Sequence, residues 1–203
     1  MFLQTIKRFA VVLLVTSAAC GGGGDSAEAD GLPRFVAGYA ATCTDGTGFE
    51  GAAAFEPGPG ALPLAFLTDI DDEGTFFLID PQLGEDYAVT ELSDADAAGE
   101  RARLSEISLV ACLDVESSEP SGETCEFEDD GGDVTPLDVL DVTYSLAVHE
   151  ARTGAVVDTA SIDVAGADAT CPAVLSIDDG QTTLLPGPEP EQVTAALDEI
   201  VGA

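Results

Sequence analysis

Residues 139–165 read VLDVTYSLAVHEARTGAVVDTASIDVA, and this stretch decides the fold class. Leu140, Val142, Tyr144, Leu146 and Val148 alternate with Asp141, Thr143, Ser145, Ala147 and His149. A period of two marks a β-strand with one face in a core and one in water. Val156, Ala160, Ile162 and Val164 alternate with Val157, Thr159, Ser161 and Asp163 in the same way. Arg152-Thr153-Gly154 lies between the two runs, and a short loop ending in glycine suits a turn closed by a left-handed residue. Pairing Ala151 with Ala155 places Leu146 opposite Ala160, Tyr144 opposite Ile162 and Val142 opposite Val164. A slip of one residue would bring Ser161 and Asp163 to the apolar face, so the register is well specified.

Other segments follow the same logic. Strands are predicted over 35–43, 62–67, 75–79, 108–115 and 123–128. A last short hairpin is expected from 174–177 and 182–185 around Asp178-Asp179-Gly180. Residues 93–103 are polar and read as a loop or short helix. Residues 191–201 place Val193, Ala196, Leu197, Ile200 and Val201 on one helical face. The expected fold is mainly β with a minor α component: an antiparallel sheet or sandwich of hairpins with one C-terminal helix.

The beginning of the chain has a different character. Lys7 and Arg8 precede a short apolar run, 9–15, that is too short to span a bilayer as a helix. Thr16, Ser17, Ala18 and Ala19 then lead to Cys20 and to the run Gly21 to Gly24. These features resemble the signal segment of bacterial lipoproteins, although Ser17 stands where leucine is most common in that family. The resemblance implies cleavage before Cys20, lipid on its sulfur and a membrane partner reached through that anchor. It also implies an extracytoplasmic envelope location, at the outer membrane if the cell has one, because Gly21 and not aspartate follows the cysteine. Residues 1–19 would be the signal peptide, 20–34 a flexible glycine-rich tether, and 35–203 the folded domain. Stable anchoring takes more than one acyl chain.

Thirty-nine acidic side chains face six lysines and arginines, for a net charge of −33. Beyond Arg8 the only basic residues are Arg34, Arg101, Arg103 and Arg152. Such a surface repels nucleic acid, which is excluded as a partner, and anionic lipid headgroups as well. Excess acid without lysine is similar to proteins of saline habitats, and equally to a base composition that favours Ala, Gly, Asp and Glu.

Besides Cys20 there are four cysteines, Cys43, Cys112, Cys125 and Cys171. In an exported chain an even number reads as two disulfides. Folding 108–128 as a hairpin about the turn-like segment 117–122 would set Cys112 against Cys125, leaving Cys43 for Cys171. A zinc site lacks the usual CxxC spacing. Asp69, Asp71, Glu73 and Asp80, around Gly74, loosely match a calcium loop, but the flanks read as strands and the last ligand is not glutamate.

No nucleophile elbow, P-loop, dinucleotide fingerprint or HExxH is present, so no cofactor is expected. His149 is the one histidine, and its place on the polar face of a strand reads as solvated. Leu109 to Leu113, Ala151 to Gly154 and Cys171-Pro172 resemble uncharacterised exported bacterial domains, a likeness of structural motifs that implies no activity. The sequence therefore points to a non-enzymatic envelope lipoprotein that binds or assembles with an envelope protein or small ligand. A cation-binding domain and a hydrolase using two carboxylates are the alternatives.

Overall fold

The computed structural model describes residues 30–57, 62–69, 76–78, 83, 87–89, 97–128, 132, 134–172 and 180–202. Its elements in order are α1 (Ala40–Asp45), β1 (Leu62–Asp69), β2 (Phe76–Leu78), β3 (Tyr87–Val89), α2 (Ala97–Glu106), β4 (Leu109–Glu128), β5 (Val134–Glu150), β6 (Val156–Val164), β7 (Thr183–Leu184) and α3 (Pro190–Val201). Among the described residues the sheet runs β2-β1-β4-β5-β6, with β3 added to β1 and β7 to β5. The protein is mainly β, with a helix at its C-terminal end.

The hairpin β5–β6 has the register its alternation demands: Leu146 faces Ala160, Tyr144 faces Ile162 and Val142 faces Val164. Gly154 is left-handed, with φ of 71°. The turn itself differs by one residue. Ala151 leaves the ladder, donating its N–H to Ser108 O at 2.9 Å and accepting Phe49 N–H at 2.9 Å. Glu150 instead closes on Ala155, and a bulge beside His149 and Val156 absorbs the offset.

Among the described residues the strands form one sheet, which is mixed rather than antiparallel throughout. β1 runs parallel to β4 and to β3, and β7 runs parallel to β5. The cause lies in two continuous apolar runs, Leu64-Ala65-Phe66-Leu67 and Leu109-Val110-Ala111-Cys112-Leu113, every residue of which is buried. Strands covered on both faces show no alternation, and parallel neighbours at the centre of a sheet are of this kind.

Two layers do the covering. On one face Phe66, Leu113, Tyr144 and Leu146 pack against Val193, Ala196, Leu197 and Val201 of α3. On the other, Ala65, Leu67, Val110 and Ala151 pack against Tyr39, Phe49, Leu104 and Ile107. α3 begins at Pro190 with a reciprocal cap between Glu189 and Gln192 and ends at left-handed Gly202, so both its termini are satisfied locally.

The strand predicted over 35–43 is absent. Val36–Tyr39 is a 3-10 turn that leads into α1, which left-handed Gly46 terminates. The alanine-rich sequence Ala40-Ala41 favours helix, and the run is apolar because it lies on a sheet. The hairpin predicted within 108–128 is also absent: β4 is one strand of 20 residues along β5. Bulges between Val115 and Ser117 and between Pro120 and Thr124 pass the turn-like residues without reversing the chain. Cys112 and Cys125 therefore sit opposite Ala147 and Leu137, on the order of 33 Å apart along β5 at the ordinary rise of a strand. The Cys112–Cys125 and Cys43–Cys171 pairings are accordingly corrected. Cys43 bonds Cys112, and Cys125 bonds Cys171, with Cα separations of 5.6 and 5.8 Å.

Residues 174–177 of the expected last hairpin lie outside the described residues. Its other half forms β7, which pairs with β5.

Tyr39 is wholly buried, stacks edge-to-face on Phe49 with centroids 5.0 Å apart, and donates its hydroxyl to Leu104 O at 2.8 Å. Burial pushes this phenol well above its ordinary value of 10.0, a shift that the charge of Arg101 opposes. In the unfolded chain the phenol ionises near pH 10, and in the folded protein it stays neutral. Its contribution to stability is thus complete below about pH 10 and is lost as pH rises toward the folded value. Tyr39→Phe should cost about 1 kcal/mol at pH 8. In urea titrations the gap from the parent should shrink at pH 11; a constant gap would show that the buried phenol does not govern alkaline stability.

Candidate functional site

An apolar groove lies on the α3 side of the sheet. It has a volume of about 300 Å³. Phe66, Thr68, Leu113, Val115 and Tyr144 form its floor, and Leu185, Gly187, Pro188 and Val193 form its wall. The floor follows from the two-residue repeat: Phe66 and Thr68 pair with Ala111 and Leu113 on the face that carries Tyr144. Asp69 also borders the groove, and alternation turns its side chain to the opposite face of β1.

The wall is held by polar ties. Tyr144 donates its hydroxyl to Pro186 O at 3.0 Å, Tyr87 donates to Asp198 Oδ1 at 2.8 Å, and Gln192 Nε2 donates to Asp163 O at 3.0 Å. Burial raises the Tyr144 phenol above its ordinary range, so it stays a neutral donor to Pro186. Leu185 is 43% exposed at the mouth. An apolar floor with a tethered wall suits an apolar group of a ligand or partner.

The sequence-derived site residues are dispersed. Cys20, Asp71, Glu73 and Asp80 lie outside the described residues. Asp69 is buried at the end of β1, and no group of three or more His, Cys, Asp or Glu side chains among the described residues is placed to hold a metal. The four domain cysteines come together in two bridges, both of which reach β4.

His149 requires a correction. It is only 8% exposed, and its Nδ1 lies 3.1 Å from Gly154 O. The face that reads as polar is covered there by the segment around Phe49. Ala147 and Ala151, spaced two apart from it, were the available signal, because small residues on a supposed water face allow another layer to approach. Sequence reading also missed the groove, whose residues come from strands and a loop far apart in the chain.

Carboxylates gather at the middle of β5, beside the end of β6. Glu119 faces Asp141 across the strands, Asp141 Oδ1 accepts Gly166 N–H at 2.7 Å, and Asp163 Oδ1 accepts the Thr143 hydroxyl at 2.8 Å. Two of these three acids are thus engaged in holding main chain and strand. No protein-family model, curated protein or solved structure matches this chain.

Proposed function

We propose that this chain is a lipid-anchored protein of the bacterial cell envelope, with a folded domain that serves as a non-enzymatic binding or assembly module. The observation that carries the reading is the disposition of the cysteines. Four are consumed in two bridges, and bridges of this kind persist in oxidising compartments outside the cytosol. The fifth, Cys20, stands after small residues and before Gly21 to Gly24, where a lipid-bearing cysteine belongs. The apolar groove on the α3 side of the sheet supports the binding role, since its floor and wall offer apolar contact area.

The test is intact mass and metabolic labelling with an alkyne fatty acid in a bacterial host. The mature chain should begin at Cys20, carry label there and partition into membranes, and Cys20→Ala should lose both label and processing. A cleaved, unlabelled and freely soluble chain would sink the anchor.

A further inference from the structure

The outer edge of β6 carries an inference beyond the groove. Among the described residues β6 is the last strand in the sheet order and pairs with β5 on one side. Gln192 of α3 donates to Asp163 O from the other side at 3.0 Å, which fixes the direction of the main chain. Asp163 presents its carbonyl away from β5, and by the two-residue repeat so do Ser161 and Thr159. Thr159 N–H is held by the Asp158 carboxylate at 2.8 Å. The outward N–H and C=O of Ser161 and the C=O of Thr159 have no strand partner among the described residues.

A second observation lies alongside. An open groove of about 550 Å³ follows this edge, bounded by residues 159–163 of β6 and by Gln192, Ala195, Ala196 and Glu199 of α3. Neighbouring strands lie about 4.8 Å apart, and the helix presents the small, exposed Ala195 to this groove. Edge main chain on one side and a helix wall on the other make a seat for an extended peptide.

Charge selects the occupant. Asp163 and Glu199 line the groove and no basic side chain does, in a chain with 39 acids and six basic residues. Another copy of this chain, or any acidic segment, is repelled there, and a basic one is attracted. We propose that β6 accepts an extended basic segment of a partner protein as an added strand along its outer edge, beside α3. The proposal rests on the binding-module reading but not on the lipid anchor, so the labelling experiment and the one below fail independently.

The probe is a fluorescent heptapeptide of alternating lysine and valine, titrated by anisotropy into the full-length chain in mild detergent. Two controls carry glutamate for lysine, or N-methyl groups on the amides that would face β6. The lysine peptide should bind, and each control should bind roughly tenfold more weakly or worse. Ser161→Pro removes the outward N–H at an edge position where proline is tolerated, so it should keep the fold while weakening binding to the same degree. Ala195→Trp, at an exposed helix position, should fill the groove with the same result if Ser161→Pro disturbs folding. Absence of binding, or binding that ignores both N-methylation and the two variants, would overturn the proposal. A dimer of the chain that Ser161→Pro dissolves would assign the edge to a second copy and overturn it as well.

Discussion

Replacing Cys43 and Cys112 together by alanine should lower the unfolding free energy by about 4 kcal/mol. The bridge closes a sequence separation of 69 residues, and in the chain-entropy account a loop of that length removes much of the freedom of the unfolded chain. Its position adds a second reason. Cys112 lies in the buried first five residues of β4, and Cys43 sits on α1 in the layer that covers it. Without the bond the layer from Leu32 to Ala52 keeps its apolar contacts but loses its covalent tie to the sheet. The Cys125 and Cys171 pair, with a separation of 46, should also be worth about 4 kcal/mol by the same relation. Domains of this size have about 5–15 kcal/mol in total, so the variant lacking all four sulfurs should be largely unfolded. Urea unfolding by circular dichroism gives the loss for each pair. Peptide mapping without reduction checks the connectivity, and a Cys112–Cys125 fragment would show that β4 folds back on itself.

Gly154→Ala should be the most damaging single change, at about 3–4 kcal/mol. Two independent costs meet at this position. Its φ of 71° lies where side chains are strained, and a methyl group there would overlap Gly46 O and meet Gly48 N at 2.9 Å. Both obstacles are main chain and cannot move as a flexible side chain would. Gly48 is packed reciprocally, since a Cβ on it would lie 2.6 Å from Thr153 O. The hairpin turn and the loop after α1 are therefore in direct backbone contact. Yielding would push the N-terminal layer off the sheet and expose Phe49, Ala151 and His149. Gly180→Ala supplies the control: its φ is 87° but nothing lies near the added methyl, so only the conformational cost of about 1 kcal/mol remains. Thermal melts of the two variants should separate widely. Equal losses would mean that the close approach of Gly46 and Gly154 contributes nothing to stability.

The contrast between these two glycines also marks the boundary between local and long-range information in the chain. Alternation along residues 139–165 determined by itself which side chains share a face, hence the pairs Leu146 with Ala160 and Tyr144 with Ile162. Glycine at 154 announced a left-handed turn, and the spacing of Val193, Ala196, Leu197 and Val201 announced α3. These are properties of neighbouring residues, set by backbone sterics and by the period of one strand or one helix. Only the tertiary structure decided what each face meets. Segment 117–122 contains the residues of a turn, yet β5 offers an unbroken ladder beside it, and two bulges cost less than losing that pairing. Once β4 runs straight, Cys112 and Cys125 are carried apart and each finds a sulfur from a covering layer. The same layers turned His149 inward and built the groove under α3 from Phe66, Tyr144 and Leu185. Periodicity fixes the direction of a side chain relative to its own strand, whereas burial and disulfide partnership depend on which distant segment arrives at that face.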